Sequence, residues 1–287
     1  MVEMRLPPAF KGFNRLLRLN LESVRIAPSA LKKLISKCPM LEYMDLYNLD
    51  CDIEEFDIDA PNLKSFSYFG SFYSICFKNA SHLAKMSVSL GDINVLDYDM
   101  FEDYEIFDPY ECDRNVIEVL GQLSSLESDS GFLQFLARGG VPRKFPINLN
   151  HLTDLCLSFL HFDRMAEVMC ALCLIRSSPN LQSLKIISLE TFGVNMKATQ
   201  YLKAQQKHEI PLGCLKIVKI CWFSGMEPEM EFVKLLLSAA TVLRKLEINY
   251  VYAAETEKGS KTFKELLSFS RASAKAQIIF QDRCSIT

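Results

Sequence analysis

The chain has 287 residues, enough for one large or two ordinary domains, and its 49% hydrophobic and 23% charged composition is that of a globular protein able to bury a substantial core. A formal net charge of −3 supplies no basic field that would recruit nucleic acid or an anionic membrane. The longest uninterrupted apolar run, Met169–Ile175, is far short of the roughly 20 residues that a membrane-spanning helix needs.

Residues 1–15 form a lead-in without an apolar segment behind a basic start, so no secretory signal is expected. From Leu16 onward the chain repeats itself. An apolar residue at positions 1, 4 and 6 recurs in Leu16-Leu19-Leu21, Leu41-Met44-Leu46, Leu63-Phe66-Tyr68 and Leu83-Met86-Val88. It returns in Leu152-Leu155-Leu157, Leu181-Leu184-Ile186, Leu215-Val218-Ile220 and Leu243-Leu246-Ile248. Successive starts lie 25, 22 and 20 residues apart, then 69, then 29, 34 and 28. A weak copy, Leu123-Ser124-Ser125-Leu126, falls inside the long gap. One such pattern means little in an apolar chain; eight in this spacing predict a leucine-rich-repeat solenoid.

A small residue, proline and one spacer precede the first leucine in Cys38-Pro39-Met40-Leu41, Ala60-Pro61-Asn62-Leu63 and Ser178-Pro179-Asn180-Leu181. Proline there fixes φ and keeps a helix from running on into the strand. Helix-like runs occupy Ser29–Lys37, Arg164–Ser177 and Glu229–Ala240, with starts at Pro28-Ser29 and Pro228-Glu229. Each unit therefore reads as strand, loop, then helix or irregular return. The expected fold is α/β: a curved parallel sheet with helices and irregular segments on its convex side, the repeats spanning 16–210.

Alternation along each strand sends positions 4 and 6 inward and positions 3, 5 and 7 onto the concave sheet face. That face is expected to carry Arg18, Asn20 and Glu22, then Tyr43, Asp45 and Tyr47, then Ser65, Ser67 and Phe69, then Lys85, Ser87 and Ser89. The later repeats add Asp154, Cys156 and Ser158; Ser183, Lys185 and Ile187; Ile217, Lys219 and Cys221; and Lys245, Glu247 and Asn249. Exposed aromatics anchor interfaces, so Tyr43, Tyr47 and Phe69 beside Asp45 are the candidate partner-binding residues.

Two insertions interrupt the pattern. Asp97–Asp113 has eight acidic residues and no basic one, with aromatics at every third position from Tyr98 to Tyr110. An acidic Ca²⁺ loop lacks its turning glycine here, which leaves a solvated insertion or a dock for a basic partner. The segment 188–210 is polar and mildly basic, and reads as a long surface loop with helical content.

Ten cysteines include one CxxC, Cys170 and Cys173, inside an apolar helical run and without a second pair at zinc-binding spacing. They read as buried small hydrophobes, reduced in the cytosol or nucleus. No GxSxG, P-loop, GxGxxG or HExxH is present, and the histidines at 82, 151, 161 and 208 are scattered. No catalytic, metal or cofactor residue is nominated, and no enzymatic activity is expected.

Several segments resemble the plant F-box/FBD/LRR-repeat proteins. They are Phe10-Lys-Gly-Phe13, the Cys-Pro-Met-Leu-Glu unit at 38–42, Gly131-Phe-Leu-Gln-Phe-Leu136, Val141-Pro-Arg-Lys-Phe-Pro146 and Cys170-Ala-Leu-Cys-Leu-Ile-Arg-Ser-Ser-Pro-Asn-Leu181. Residues 211–287 resemble the FBD domain, through Leu215-Lys-Ile-Val-Lys-Ile220, Glu231-Phe-Val-Lys-Leu-Leu236 and Arg271-Ala-Ser-Ala-Lys-Ala-Gln-Ile278, and would form an α+β cap that continues the repeats.

The resemblance implies the substrate-recognition part of an SCF-type ubiquitin ligase, whose F-box binds a Skp1-like adaptor while the repeats hold a protein target. Leu6-Pro7-Pro8 is too short for an F-box, so adaptor binding is expected only if an F-box is supplied from elsewhere. The alternatives are a free-standing scaffold or decoy, a truncated product and, last, an enzyme with an unrecognised site. Residues 1–15 are the sole expected shield over Leu16, Leu19 and Leu21, which predicts an exposed, association-prone edge there.

Overall fold

The computed structural model describes residues 2–51, 53–90, 110–138, 140–189, 196–206, 210–251 and 257–282. The chain divides into two compact units, Met1–Gly139 and Gly140–Thr287.

The first unit runs β1 (Val2–Met4), β2 (Arg18–Glu22), β3 (Val24–Ile26), α1 (Pro28–Ser36), β4 (Tyr43–Tyr47), β5 (Glu55–Asp59), β6 (Ser65–Phe69), β7 (Ser74–Lys78), β8 (Lys85–Ser89), α2 (Tyr110–Leu120), β9 (Ser125–Asp129) and α3 (Ser130–Ala137). Strands β2, β4, β6, β8 and β9 pair in that order, all parallel. The repeat phase is the sheet register: Leu19, Met44, Phe66, Met86 and Leu126 align, as do Leu21, Leu46, Tyr68, Val88 and Ser128. Every one of these side chains is buried.

The turn before each strand explains the proline motif. The amide of the first repeat leucine donates to the carbonyl three residues back: Leu41 to Cys38 at 3.1 Å, Leu63 to Ala60 at 3.1 Å, Leu83 to Ala80 at 3.2 Å. Proline pre-sets φ at the second position of such a turn. The Asn62 side-chain amide donates to the Pro39 carbonyl at 2.8 Å and laces one turn to the previous one.

The return layer departs from the expected helices and irregular segments. β5 and β7 form a parallel two-stranded sheet of their own, and β1 pairs with β3 in another. In β5, Phe56 and Ile58 are buried between Glu55, Asp57 and Asp59; in β7, Ile75 and Phe77 are buried. The intervals of 22 and 20 residues hold a short strand each, whereas the 25-residue interval before them has room for α1. Asp57 is clamped by Lys32 of α1 at 2.6 Å and Lys78 of β7 at 3.0 Å. The Lys32 hydrogen bond, followed by that of Lys78, holds its carboxyl below the ordinary value.

Beneath this layer lies an aromatic core: Phe66 meets Phe77 edge-on at 5.5 Å and Phe56 at 6.0 Å, and Phe72 meets Phe135 at 5.4 Å. Gly131–Phe135 lies in α3, whose N-cap Asp129 accepts from the Phe132 amide and from the Ser89 hydroxyl.

The weak repeat at Leu123 is a full member of the sheet, but its sixth position is Ser128, buried with a hydroxyl that has no hydrogen-bond partner. An unsatisfied buried hydroxyl costs about 1–3 kcal/mol. Ser128→Ala is therefore expected to leave stability unchanged or raise it by about 1 kcal/mol in urea denaturation. A clear loss would mean that the hydroxyl is satisfied in solution.

The second unit alternates strand and helix: β10 (Asp154–Leu160), α4 (Met165–Ser177), β11 (Ser183–Ser188), α5 (Met196–Gln205), β12 (Ile217–Phe223), α6 (Glu227–Ala239), β13 (Lys245–Tyr250), α7 (Glu257–Ser268) and β14 (Gln277–Asp282). Its five strands pair parallel in chain order. Longer spacings between repeats accommodate full helices. Between the buried Glu167 and Arg176, α4 is apolar on every side and buries Val168 and Cys170 to Ile175, because β10 and α5 both pack on it.

The acidic insertion lies outside the described residues except for Tyr110–Asp113, whose backbone opens α2, and 190–195 and 207–209 of the polar insertion lie outside them too. α5 occupies the middle of the polar insertion and buries Ala198 and Leu202. β2 is an edge strand of its sheet, with Leu16 half-buried and Phe13 and Leu17 exposed beside it. No helix among the described residues is long and apolar enough to cross a membrane.

Candidate protein-binding surface

In the first unit the outward rows follow the expected assignment. Arg18, Tyr43, Ser65, Lys85 and Ser125 share one register row; Asn20, Asp45, Ser67, Ser87 and Glu127 share the next; Glu22, Tyr47, Phe69 and Ser89 share the third. Tyr47 and Phe69 are direct cross-strand partners, 42% and 44% exposed. Asp45 is half-buried one row away. Tyr43 stands apart from the pair, four residues or about 13 Å along the strand from Tyr47. It is half-buried, with the Arg18 guanidinium 4.7 Å from its ring centre. The structure thus joins Tyr47 to Phe69, with Asp45 between them and the Arg18–Tyr43 stack. A rigid aromatic pair beside a carboxylate has the chemistry of an interface anchor.

In the second unit the assignment holds at Ile187 but fails at position 7 of the other three repeats. Ser158, Cys221 and Asn249, expected to face outward, are buried. Register shifts after Leu157 in β10 and after Ile220 in β12 mark β-bulges. These turn Phe159 and Trp222 outward and return Leu160 and Phe223 to the core. Phe159 and Trp222 both hold φ of 58°, a left-handed conformation that costs a bulky residue about 1–3 kcal/mol. Their rings meet at 6.0 Å, and Phe159 is 41% exposed. The sequence carried a signal for this: after Leu155-Leu157 and Val218-Ile220 the next core residues come three positions on, at Leu160 and Phe223, instead of two. β13 has no such bulge, and Asn249 is buried where its side-chain amide donates to the Gln281 carbonyl of β14 at 3.2 Å.

Buried carboxylates fasten the loops that leave these strands. Glu167, in the first turn of α4, accepts from the His161 amide at 3.0 Å and the Arg164 guanidinium at 3.1 Å, with the His161 ring nitrogen also at 3.1 Å. Glu229, in the first turn of α6, accepts from the Ser188 hydroxyl, the Ser224 amide and hydroxyl and the Met226 amide at 2.6–3.0 Å. Donors crowd both carboxylates, which makes them loop fasteners.

Cys170 and Cys173 are buried in α4. Burial pushes the Cys170 thiol up and the Cys173 thiol to about 11, so both stay protonated and pack as small hydrophobes. Among the described residues no group of His, Cys, Asp or Glu is arranged to hold a metal ion. A cleft of about 700 Å³ at the ends of α5 and α6 is lined by Ile210, Pro211, Leu212 and Leu235 among others, with no acid or base among the described residues that line it.

Comparison with known proteins agrees with this architecture. Residues 2–95 match the family model described as FBD-associated F-box protein At5g56370, LRR repeats. The chain is 32% identical over 284 residues to the F-box/FBD/LRR-repeat protein At1g13570 of Arabidopsis thaliana, an alignment covering 96% of this chain. It spans 64% of the length of that relative. No solved structure matches the chain. With its repeats in sheet register and that similarity from end to end, the chain is a leucine-rich-repeat protein related to the plant F-box/FBD/LRR-repeat family.

Proposed function

We propose that the chain is the target-recognition part of an SCF-type ubiquitin ligase F-box protein, a module that binds a protein without transforming it. The exposed Tyr47–Phe69 pair beside Asp45 carries this reading, because two large apolar side chains are kept at the surface of a sheet whose alternate positions are fully buried. The similarity to an F-box/FBD/LRR-repeat protein supports the link to ubiquitination. Delivery of ubiquitin then requires an F-box to hold a Skp1-like adaptor, and the working compartment is the cytosol or nucleus. Residues 211–287 serve as the FBD-like end of the repeat array; the parallel pairing that runs from β12 through β14 supports their continuing the repeats.

Affinity capture from plant extract, with bound proteins quantified by mass spectrometry, tests the reading. Wild-type chain should retain a specific protein set, and Tyr47→Ala with Phe69→Ala should reduce it about tenfold or more at unchanged Tm. Equal capture by both would remove these residues from the interface. Recovery of a Skp1-like adaptor and cullin should depend on fusing an F-box to the chain. Capture of targets with no link to the ligase, F-box present, would favour a scaffold.

A further inference from the structure

The outward face of the second unit has a chemistry of its own. Lys185 of β11 and Lys219 of β12 are direct register partners, both half-buried. Neither forms an ion pair among the described residues. Strands are about 4.8 Å apart, and like charges placed directly opposite repel. The register partner of Lys219 on the other side is Glu247, but that carboxylate is ion-paired with Lys245 on its own strand. Asp154, exposed on β10, accepts from the Thr153 hydroxyl. Two adjacent cations are thus held on a sheet without a counter-charge of their own. Ile217, 45% exposed, and half-buried Ile187 lie on the same face. The Phe159–Trp222 pair closes its far end, held there by the two strained bulges.

We propose that this face binds an extended protein segment carrying an acidic residue and, two residues along, a bulky apolar side chain. The carboxylate meets Lys185 and Lys219, and the apolar group rests on Phe159 and Trp222. The spacing follows from the sheet: the bulge sets Ile220 to Phe223 opposite only Ile248 to Tyr250, so Trp222 lies about 7 Å beyond Lys219, the reach of two residues in an extended partner, and residues two apart face the same way. Complementary charge relieves the lysine repulsion, and the aromatic end explains why bulges that cost energy are kept. A nucleic-acid strand fits less well, because only two cations here lack a counter-charge and Asp154 and Glu247 flank them. The inference rests on the reading of the chain as a protein-binding module and assigns a second surface to it.

Trp222 is the only tryptophan of the chain, so its emission reports on this face directly. The test titrates the full chain with the peptide Gly-Ser-Asp-Ser-Leu-Ser-Gly. A saturable change in Trp222 emission is expected, weakening with added salt. Lys185→Gln with Lys219→Gln should weaken it about tenfold or more, and Tyr47→Ala with Phe69→Ala should leave it intact. Circular dichroism confirms folding of each variant. No response, an equal response to the peptide with Asn for Asp, or tighter binding only of a phosphoserine peptide or a single-stranded oligonucleotide would overturn the proposal. If it falls while the Tyr47 and Phe69 variant still loses captured proteins, the binding module stands and this surface is not part of it. Loss of both results would end both readings.

Discussion

Leu46→Ala and Leu184→Ala are each expected to remove about 2–5 kcal/mol of stability, the cost of a lost buried side chain plus the cavity it leaves. Both leucines occupy buried positions in the middle of a strand, with register partners on each side: Leu21 and Tyr68 for Leu46, Leu155 and Val218 for Leu184. In stacked repeats a cavity weakens the contacts with both neighbours, which is why the upper half of that range applies if the layers cannot close over it. The corresponding fall in Tm is roughly 5–20 °C. Tyr47→Ala, one residue away on the outer face, should stay within about 0.5 kcal/mol, because it leaves no enclosed cavity. Tyr43→Ala falls between them at about 1 kcal/mol, having lost the Arg18 cation from its ring. Urea denaturation of the four variants side by side checks the inside–outside assignment. Equal losses for Leu46 and Tyr47 would show that the strand is turned over.

That assignment was readable from the residues because parallel strands in register need the same apolar phase in every repeat. Leu19, Met44, Phe66 and Met86 announce it together, where one alone would not. Two features, and the partner of the Tyr68 hydroxyl, escaped for a common reason: their cause lies in neighbouring elements. β5 and β7 alternate correctly, as Glu-Phe-Asp-Ile-Asp and Ser-Ile-Cys-Phe-Lys, but each is five residues long and needs the other as a partner. Tyr68 carries a hydroxyl into a core position, tolerated because the hydroxyl reaches the Ser71 carbonyl at 2.8 Å, a contact set by how the following loop turns back. The bulges at Phe159 and Trp222 depend on register between strands, so counting by twos from Leu155 and Val218 put Ser158 and Cys221 on the surface when they are buried. Of the candidate surface, Tyr47 and Phe69 could be named from alternation alone. The partial withdrawal of Tyr43 beneath Arg18 could not, since it depends on a residue 25 positions away in sequence.

Glu229→Ala is expected to cost about 2–4 kcal/mol, while Glu229→Gln stays within about 1 kcal/mol of wild type. The carboxylate is fully enclosed and ties together the end of β11, the loop after β12 and the start of α6. Alanine strands the Ser224 and Met226 amides, two backbone donors with no water to turn to. Glutamine keeps an oxygen for them and offers its amide to the Ser188 hydroxyl, which can accept as readily as donate. The pH dependence separates charge from shape. Burial pushes the Glu229 carboxyl above its ordinary 4.5, against the pull of Ser188, Ser224 and the Met226 amide. The fold therefore holds this proton more tightly than the unfolded chain does. That contribution is complete below the unfolded value and is lost as pH rises through the folded one. Glutamine has no proton to lose, so stability measured by urea denaturation should shift in its favour, relative to wild type, as pH climbs from about 4 to 7. A shift in the opposite direction would mean that the four donors outweigh burial and hold the group as an anion; the same loop would then be stabilised by charge as well as by shape.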